Sequence, residues 1–90
     1  MNFIEAKRLF EQNELAQALE ILNDLLIRNP SDSNSLLMRG RINYKMQNWG
    51  NAMNDYSAVL EIDPGNAEAK SGLAMARSIL GYFTPDMFNP

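Results

Sequence analysis

LAQALEILNDLLIRNP (residues 15–30) and WGNAMNDYSAVLEIDP (residues 49–64) are two versions of one pattern. Setting Leu15 against Trp49 aligns Ala18 with Ala52, Leu19 with Met53, Leu22 with Tyr56, Leu25 with Val59, Leu26 with Leu60 and Pro30 with Pro64, at a constant offset of 34 residues (49 − 15, 64 − 30). Within each copy the apolar positions step by 3, 1, 3, 3 and 1. That is the stripe of an amphipathic helix and not the alternation of a strand. Each copy therefore predicts one helix.

A second helical stretch lies upstream of each. NFIEAKRLFEQ carries Phe3, Ala6, Leu9 and Phe10, and SLLMRGRINYKMQ carries Leu37, Gly40 and Tyr44, with Ala6 and Gly40 again 34 apart. A small residue at that slot lets a neighbouring helix backbone approach closely, which explains a glycine despite its cost of about 1 kcal/mol in a helix. The breaks fall where the pattern needs them. RNPSDS and DPGN each place a proline after a helical run, and the residue before proline is steered out of helical geometry, so the helices should end near Asn29 and Asp63. Asp63-Pro64-Gly65-Asn66 has the chemistry of a tight turn, with Gly65 free to take the left-handed conformation. Asp32 or Ser33, and later Asn66, are placed to cap the next helix. The turns inside the units are less marked, at QNEL (12–15) and QNWG (47–50). A third unit opens with AEAKSGLAMARSIL (67–80), where Ala74 stands 34 beyond Gly40, and then GYFTPDMFNP replaces its second helix.

Composition narrows the function. The chain has 90 residues, enough for one modest core, with 46% hydrophobic and 21% charged residues, as in a folded soluble domain. It has no cysteine and no histidine, so it lacks thiolate chemistry, disulfides, the usual zinc ligands and the commonest general base. These absences point away from an enzyme, a metal site or a bound cofactor. A net charge of −3 disfavours nucleic acid and acidic membranes as partners. There is no run of about 18 apolar residues, and MNFIEAKRLFEQ does not resemble a secretory signal. A cytoplasmic setting is the expectation.

The 34-residue helix-turn-helix period resembles the tetratricopeptide repeat family. The residues that carry the resemblance are Gly40, Trp49, Ala52, Tyr56, Leu60 and Pro64 in one copy, and Ala6, Leu15, Ala18, Leu22, Leu26 and Pro30 in the other. Asn43 departs from the family, standing where a tyrosine is usual, and Lys70 replaces a large apolar residue. The resemblance, over about residues 1–80, implies an all-α, right-handed stack of helix hairpins: repeat 1 at residues 1–32, repeat 2 at 33–66 and a solitary capping helix at 67–80; the apolar residues beyond it predict an ordered tail at 81–90. It also implies a scaffold or adaptor that holds a partner's segment in a concave groove lined by the first helix of each unit. The slots of the family's carboxylate clamp hold Phe3, Lys7, Met38, Glu68 and Gly72 here, so a terminal-carboxylate partner is not expected.

The groove residues so placed are Phe3, Lys7, Leu37, Arg41, Tyr44 and Lys45. Between Ser33 and Asn54 the chain carries Arg39, Arg41 and Lys45 and no acid. A positive strip there would suit an acidic partner segment, and the plain alternative is a solvated helix face. Trp49 and Tyr56 occupy repeat-defining core slots rather than a recognition pair. In the last helix and tail, Leu73 and Leu80 with Tyr82, Phe83, Met87 and Phe88 form a surplus of apolar side chains. They should fold together as a cap, leaving a monomer; the alternatives are homodimerisation through that face and docking on another protein.

Overall fold

The computed structural model describes residues 2–83, with side chains through residue 81. Among the described residues there are five helices and no strand: α1 (Phe3–Glu11), α2 (Leu15–Arg28), α3 (Ser33–Lys45), α4 (Trp49–Ile62) and α5 (Ala67–Phe83). α2 ends at Arg28 with Asn29 as its cap and α4 at Ile62 with Asp63, one residue before each proline, as the pre-proline restriction requires. α5 runs three residues beyond the predicted end at Leu80, so Tyr82 and Phe83 are helical by backbone. Their side chains, together with Met87 and Phe88 and the expected cap itself, lie outside the described residues.

The turns inside the two hairpins are built alike. Asn13 and Gln47, 34 residues apart, are the non-glycine residues with positive φ, at 61° and 63°. After α1, the amide of Glu14 donates to the carbonyl of Leu9 (2.8 Å) and that of Asn13 to Phe10 (3.0 Å). After α3, Asn48 donates to Asn43 (2.8 Å) and Gln47 to Tyr44 (3.0 Å). Both pairs are the Schellman arrangement, which satisfies the last carbonyls of a helix by turning one residue left-handed. The turn between repeats differs from its prediction. No described glycine has positive φ; Asn66 N–H closes the turn on the Asp63 carbonyl (3.1 Å), and Gly65 N–H donates to Asp63 Oδ1 (3.3 Å). A turn closed in this way needs no left-handed residue. Asn66 caps α5 as expected, its Oδ1 accepting from Ala69 N–H at 2.9 Å. Asp32 caps α3 by position only, since its carboxylate accepts from Ser35 Oγ (2.7 Å).

The core is a pair of adjoining clusters. Ala6, Leu9, Ala18, Leu22, Met38 and Ile42 are buried in the first, and Leu36, Ala52, Tyr56, Val59 and Ala69 in the second. The small-residue slots behave as the register demands: Ala6, Ala18 and Ala52 are fully buried, and Gly40 lies against the ring of Tyr56. Ala74, the third member of the Ala6 series, is exposed, because no sixth helix covers it among the described residues. Consecutive helices pack along the chain; in addition α1 touches α3 and α3 touches α5, whereas α2 and α4 do not meet. Odd helices thus form the crowded inner row and even helices a splayed outer row. The groove that the resemblance implies falls on the side of α1, α3 and α5.

Candidate partner-binding surface

Register on α1 and α3 supplies the residues of the expected groove. Phe3, Leu37 and Tyr44 are half-buried, each packing one flank on a core cluster while the other stays accessible. Tyr44 is steadied by Trp49, the first residue of α4, in an edge-to-face contact with ring centroids 5.0 Å apart and planes at 80°. Lys7 and Lys45 are exposed. Lys45 reaches back to the first hairpin, where Nζ donates to Asn13 Oδ1 (3.1 Å) and sits 5.6 Å from the centre of the Phe10 ring. It therefore ties the end of α3 to the end of α1.

The positive strip is less free than the sequence between Ser33 and Asn54 suggests, because acids arrive from other helices. Arg41 is paired with Glu68 of α5, Nη2 donating to Oε1 at 2.6 Å and Nε to Oε2. The hydrogen bonds from Arg41 are the main cause holding the Glu68 carboxyl below its ordinary range, and those to Glu68 raise the Arg41 guanidinium. With side chains 38% and 43% exposed, the pair is solvated and open to exchange. Arg39 is turned away from the groove. Its Nε and Nη2 grip the Asp55 carboxylate (3.1 and 2.8 Å), and its Nη1 donates to Asn23 Oδ1 (2.9 Å). Asn43 Nδ2 completes the network on Asp55 Oδ2 at 2.9 Å. The residue in the family's tyrosine slot is therefore a buried amide holding a buried acid, and every buried side-chain polar atom among the described residues has a partner.

Of the predicted groove residues, Phe3, Lys7, Leu37, Arg41, Tyr44 and Lys45 all fall on the two first helices. Glu68 was missed as a groove residue; it lies 27 residues from Arg41, its one cation partner, beyond the reach of a local charge reading. Leu73 is half-buried on α5, and Leu80, also half-buried, has contacts of its own. No three His, Cys, Asp or Glu side chains group as metal ligands, and no helix is long and apolar enough to cross a membrane, among the described residues.

No protein-family model matches the chain. A stretch of 77 residues, 86% of the chain, is 26% identical to the DnaJ homolog subfamily C member 7 homolog of Schizosaccharomyces pombe, and covers 16% of that relative's length. Such a stretch exceeds two 34-residue units, so the likeness extends beyond a single hairpin. Five stacked helices and this likeness fit a tetratricopeptide-like helical protein.

Proposed function

We propose that the chain is a protein-interaction scaffold that holds a partner segment along the concave side of α1, α3 and α5. The observation that carries the reading is the row of half-buried Phe3, Leu37 and Tyr44 beside exposed Lys7 and Lys45, on helices that form the inner row of the stack. Half-buried apolar groups beside cations suit a partner segment that brings both aliphatic side chains and acids. An acidic side chain of that partner takes the place of Glu68 on Arg41, exchanging one solvated ion pair for another. The task is binding and not catalysis, without cofactor, metal or nucleic acid, in a cytoplasmic setting.

The test is affinity capture with the wild type against an Arg41→Glu, Lys45→Glu double variant whose helicity has been checked by circular dichroism. The reading predicts that specific partners disappear with the variant. Identical catches would mean that these cations bind nothing.

A further inference from the structure

The two ends of the stack are chemically unlike. At the first end, a cleft of about 530 Å³ opens between α1 and α2, lined by Glu5, Leu9, Gln17, Glu20, Ile21 and Asp24, with Arg28 at its margin. A second cleft of about 310 Å³ lies one repeat on. Adding 34 to Glu5, Leu9, Gln17, Glu20 and Ile21 gives Arg39, Asn43, Asn51, Asn54 and Asp55, all of which line the second cleft. They are the same cleft in successive repeats. The second is bordered on one side by the preceding helix, α2, which presents Leu19 and, four residues later, Asn23, the latter bonded to Arg39. No described helix stands on that side of the first, which is the larger of the two.

What would close it can be read from its walls. Leu9 and Ile21, nearly buried, make an apolar floor where the second cleft has Asn43 and Asp55. The rim is acidic: Glu5 is answered by Arg8 and Asp24 by Arg28, while Glu20 has no ion pair among the described residues. The fitting occupant is a helix with an aliphatic residue and, one turn on, a cation. α5 carries that pair. Leu73 and Arg77 stand four apart, and Lys70 and Ala74 complete one stripe at steps of 3, 1 and 3. By the 34-residue register, this stripe corresponds to Leu36, Arg39, Gly40 and Asn43, which α3 turns toward α4. On α5 only Leu73 of the four is engaged, one flank packing on the second core cluster and the rest accessible; Lys70, Ala74 and Arg77 are exposed, and neither cation has an ion pair among the described residues.

We propose that α5 of one copy docks in the α1/α2 cleft of a second copy, Leu73 resting on Leu9 and Ile21 while Lys70 and Arg77 meet Glu20, Asp24 and Glu5. The contact joins two different surfaces, so copies add head to tail, as an open chain or, where the rotation closes, as a ring. It uses the ends of the stack and leaves the concave side open to a partner.

Sedimentation of the full chain from about 10 μM to about 1 mM tests this, at low salt and at about 0.5 M salt, where the Debye length shrinks to a few Å. The expected result is an average mass that rises at least about twofold with concentration at low salt and falls back at high salt. Lys70→Glu with Arg77→Glu, and separately Glu20→Lys with Asp24→Lys, should each give monomers whose helicity matches the wild type. Should either double reversal lose helicity, the neutral pairs Lys70→Gln with Arg77→Gln and Glu20→Gln with Asp24→Asn take its place, with weakened association expected. Mixing the two charge-reversed proteins restores complementary ends and should restore association. A wild type that stays monomeric throughout overturns the proposal. So do reversed variants that associate like the wild type, which would place the contact elsewhere, for instance in the tail, and so does a mixture that remains monomeric.

Discussion

Gly72 of α5 lies against the ring of Tyr56 on α4 so closely that a Cβ built at position 72 would stand 2.5 Å from Cε2 of that ring. On the opposite edge, a Cβ at Gly40 of α3 would stand 2.9 Å from Cε1. The ring is thus held between two glycines on neighbouring inner helices. One repeat earlier, the slots of Tyr56 and Gly72 hold Leu22 and Met38, both buried in one cluster. A smaller residue on the outer helix is matched by a larger one on the next inner helix, and the reverse in the second repeat.

Gly72→Ala should therefore destabilise the fold even though alanine is the better helix former. Helix propensity favours alanine by about 1 kcal/mol, whereas overpacking a filled core costs about 1 to 3 kcal/mol, and Gly40 leaves the ring no room to retreat. Urea denaturation should show a net loss in Gly72→Ala that shrinks or reverses in a Tyr56→Leu background. Equal effects in both backgrounds would show that the ring is not what alanine meets.

The Asp55 network gives a second test. Asp55 has a side chain only 5% exposed and is held by Arg39, 27% exposed, and by buried Asn43. Asp55→Ala leaves a half-buried guanidinium and a buried amide without their acceptor, a loss of about 2 to 4 kcal/mol, toward the lower part of the range for buried pairs because Arg39 can recover some water. Replacing the whole group, with Asp55→Leu, Asn43→Leu and Arg39→Met together, should recover much of the loss. A change in Asp55→Ala of less than about 0.5 kcal/mol would deny the network a structural role.

Gln47 and Asn13 hold the left-handed positions that end α3 and α1. Left-handed geometry costs an ordinary residue about 1 kcal/mol, and asparagine tolerates it better than glutamine. Gln47→Gly is therefore expected to stabilise by about 0.5 to 1 kcal/mol, and Asn13→Gly by less. A midpoint lowered by Gln47→Gly would contradict the cap geometry.

Tyr56 supplies a pH dependence. Burial is the main cause pushing its phenol up to about 12 from an ordinary 10.0, assisted by the nearby Glu68 carboxylate. Above pH 10.0 the unfolded chain ionises this group while the folded chain does not, so the stability it contributes is intact below 10.0 and is lost as pH rises toward 12. The full loss is about 2 to 3 kcal/mol, and Tyr56→Phe should flatten this part of the alkaline limb. An alkaline limb unchanged in Tyr56→Phe would contradict the burial of the phenol.

Much of the fold is legible in the sequence because its signals are local or strictly periodic. Pro30 and Pro64 mark helix ends, and Ala6, Ala18 and Ala52, small residues in the slots of the 34-residue register, are fully buried. The contacts that join helices are harder to read. Arg39 meets Asn23 and Asp55, and Tyr56 meets Gly40 and Gly72, all at a separation of 16, which places partners on neighbouring helices. That spacing appears only once a pair is known. The polar pairs also broke the local charge reading: Arg41 looked unopposed because Glu68 lies 27 residues away. Gly65 misled for a different reason, since Asp63 and Asn66 close that turn without a left-handed residue.

The scaffold reading is tested most directly by site-specific photocrosslinking in a cell extract, with a benzoylphenylalanine placed singly at position 37 on α3 or at exposed position 51 on the outer helix α4. A partner held on the concave side gives discrete crosslinks from position 37, lost on adding Arg41→Glu with Lys45→Glu, and none from position 51. Crosslinks from position 51 alone, or crosslinks from position 37 that survive the charge reversal, would contradict it.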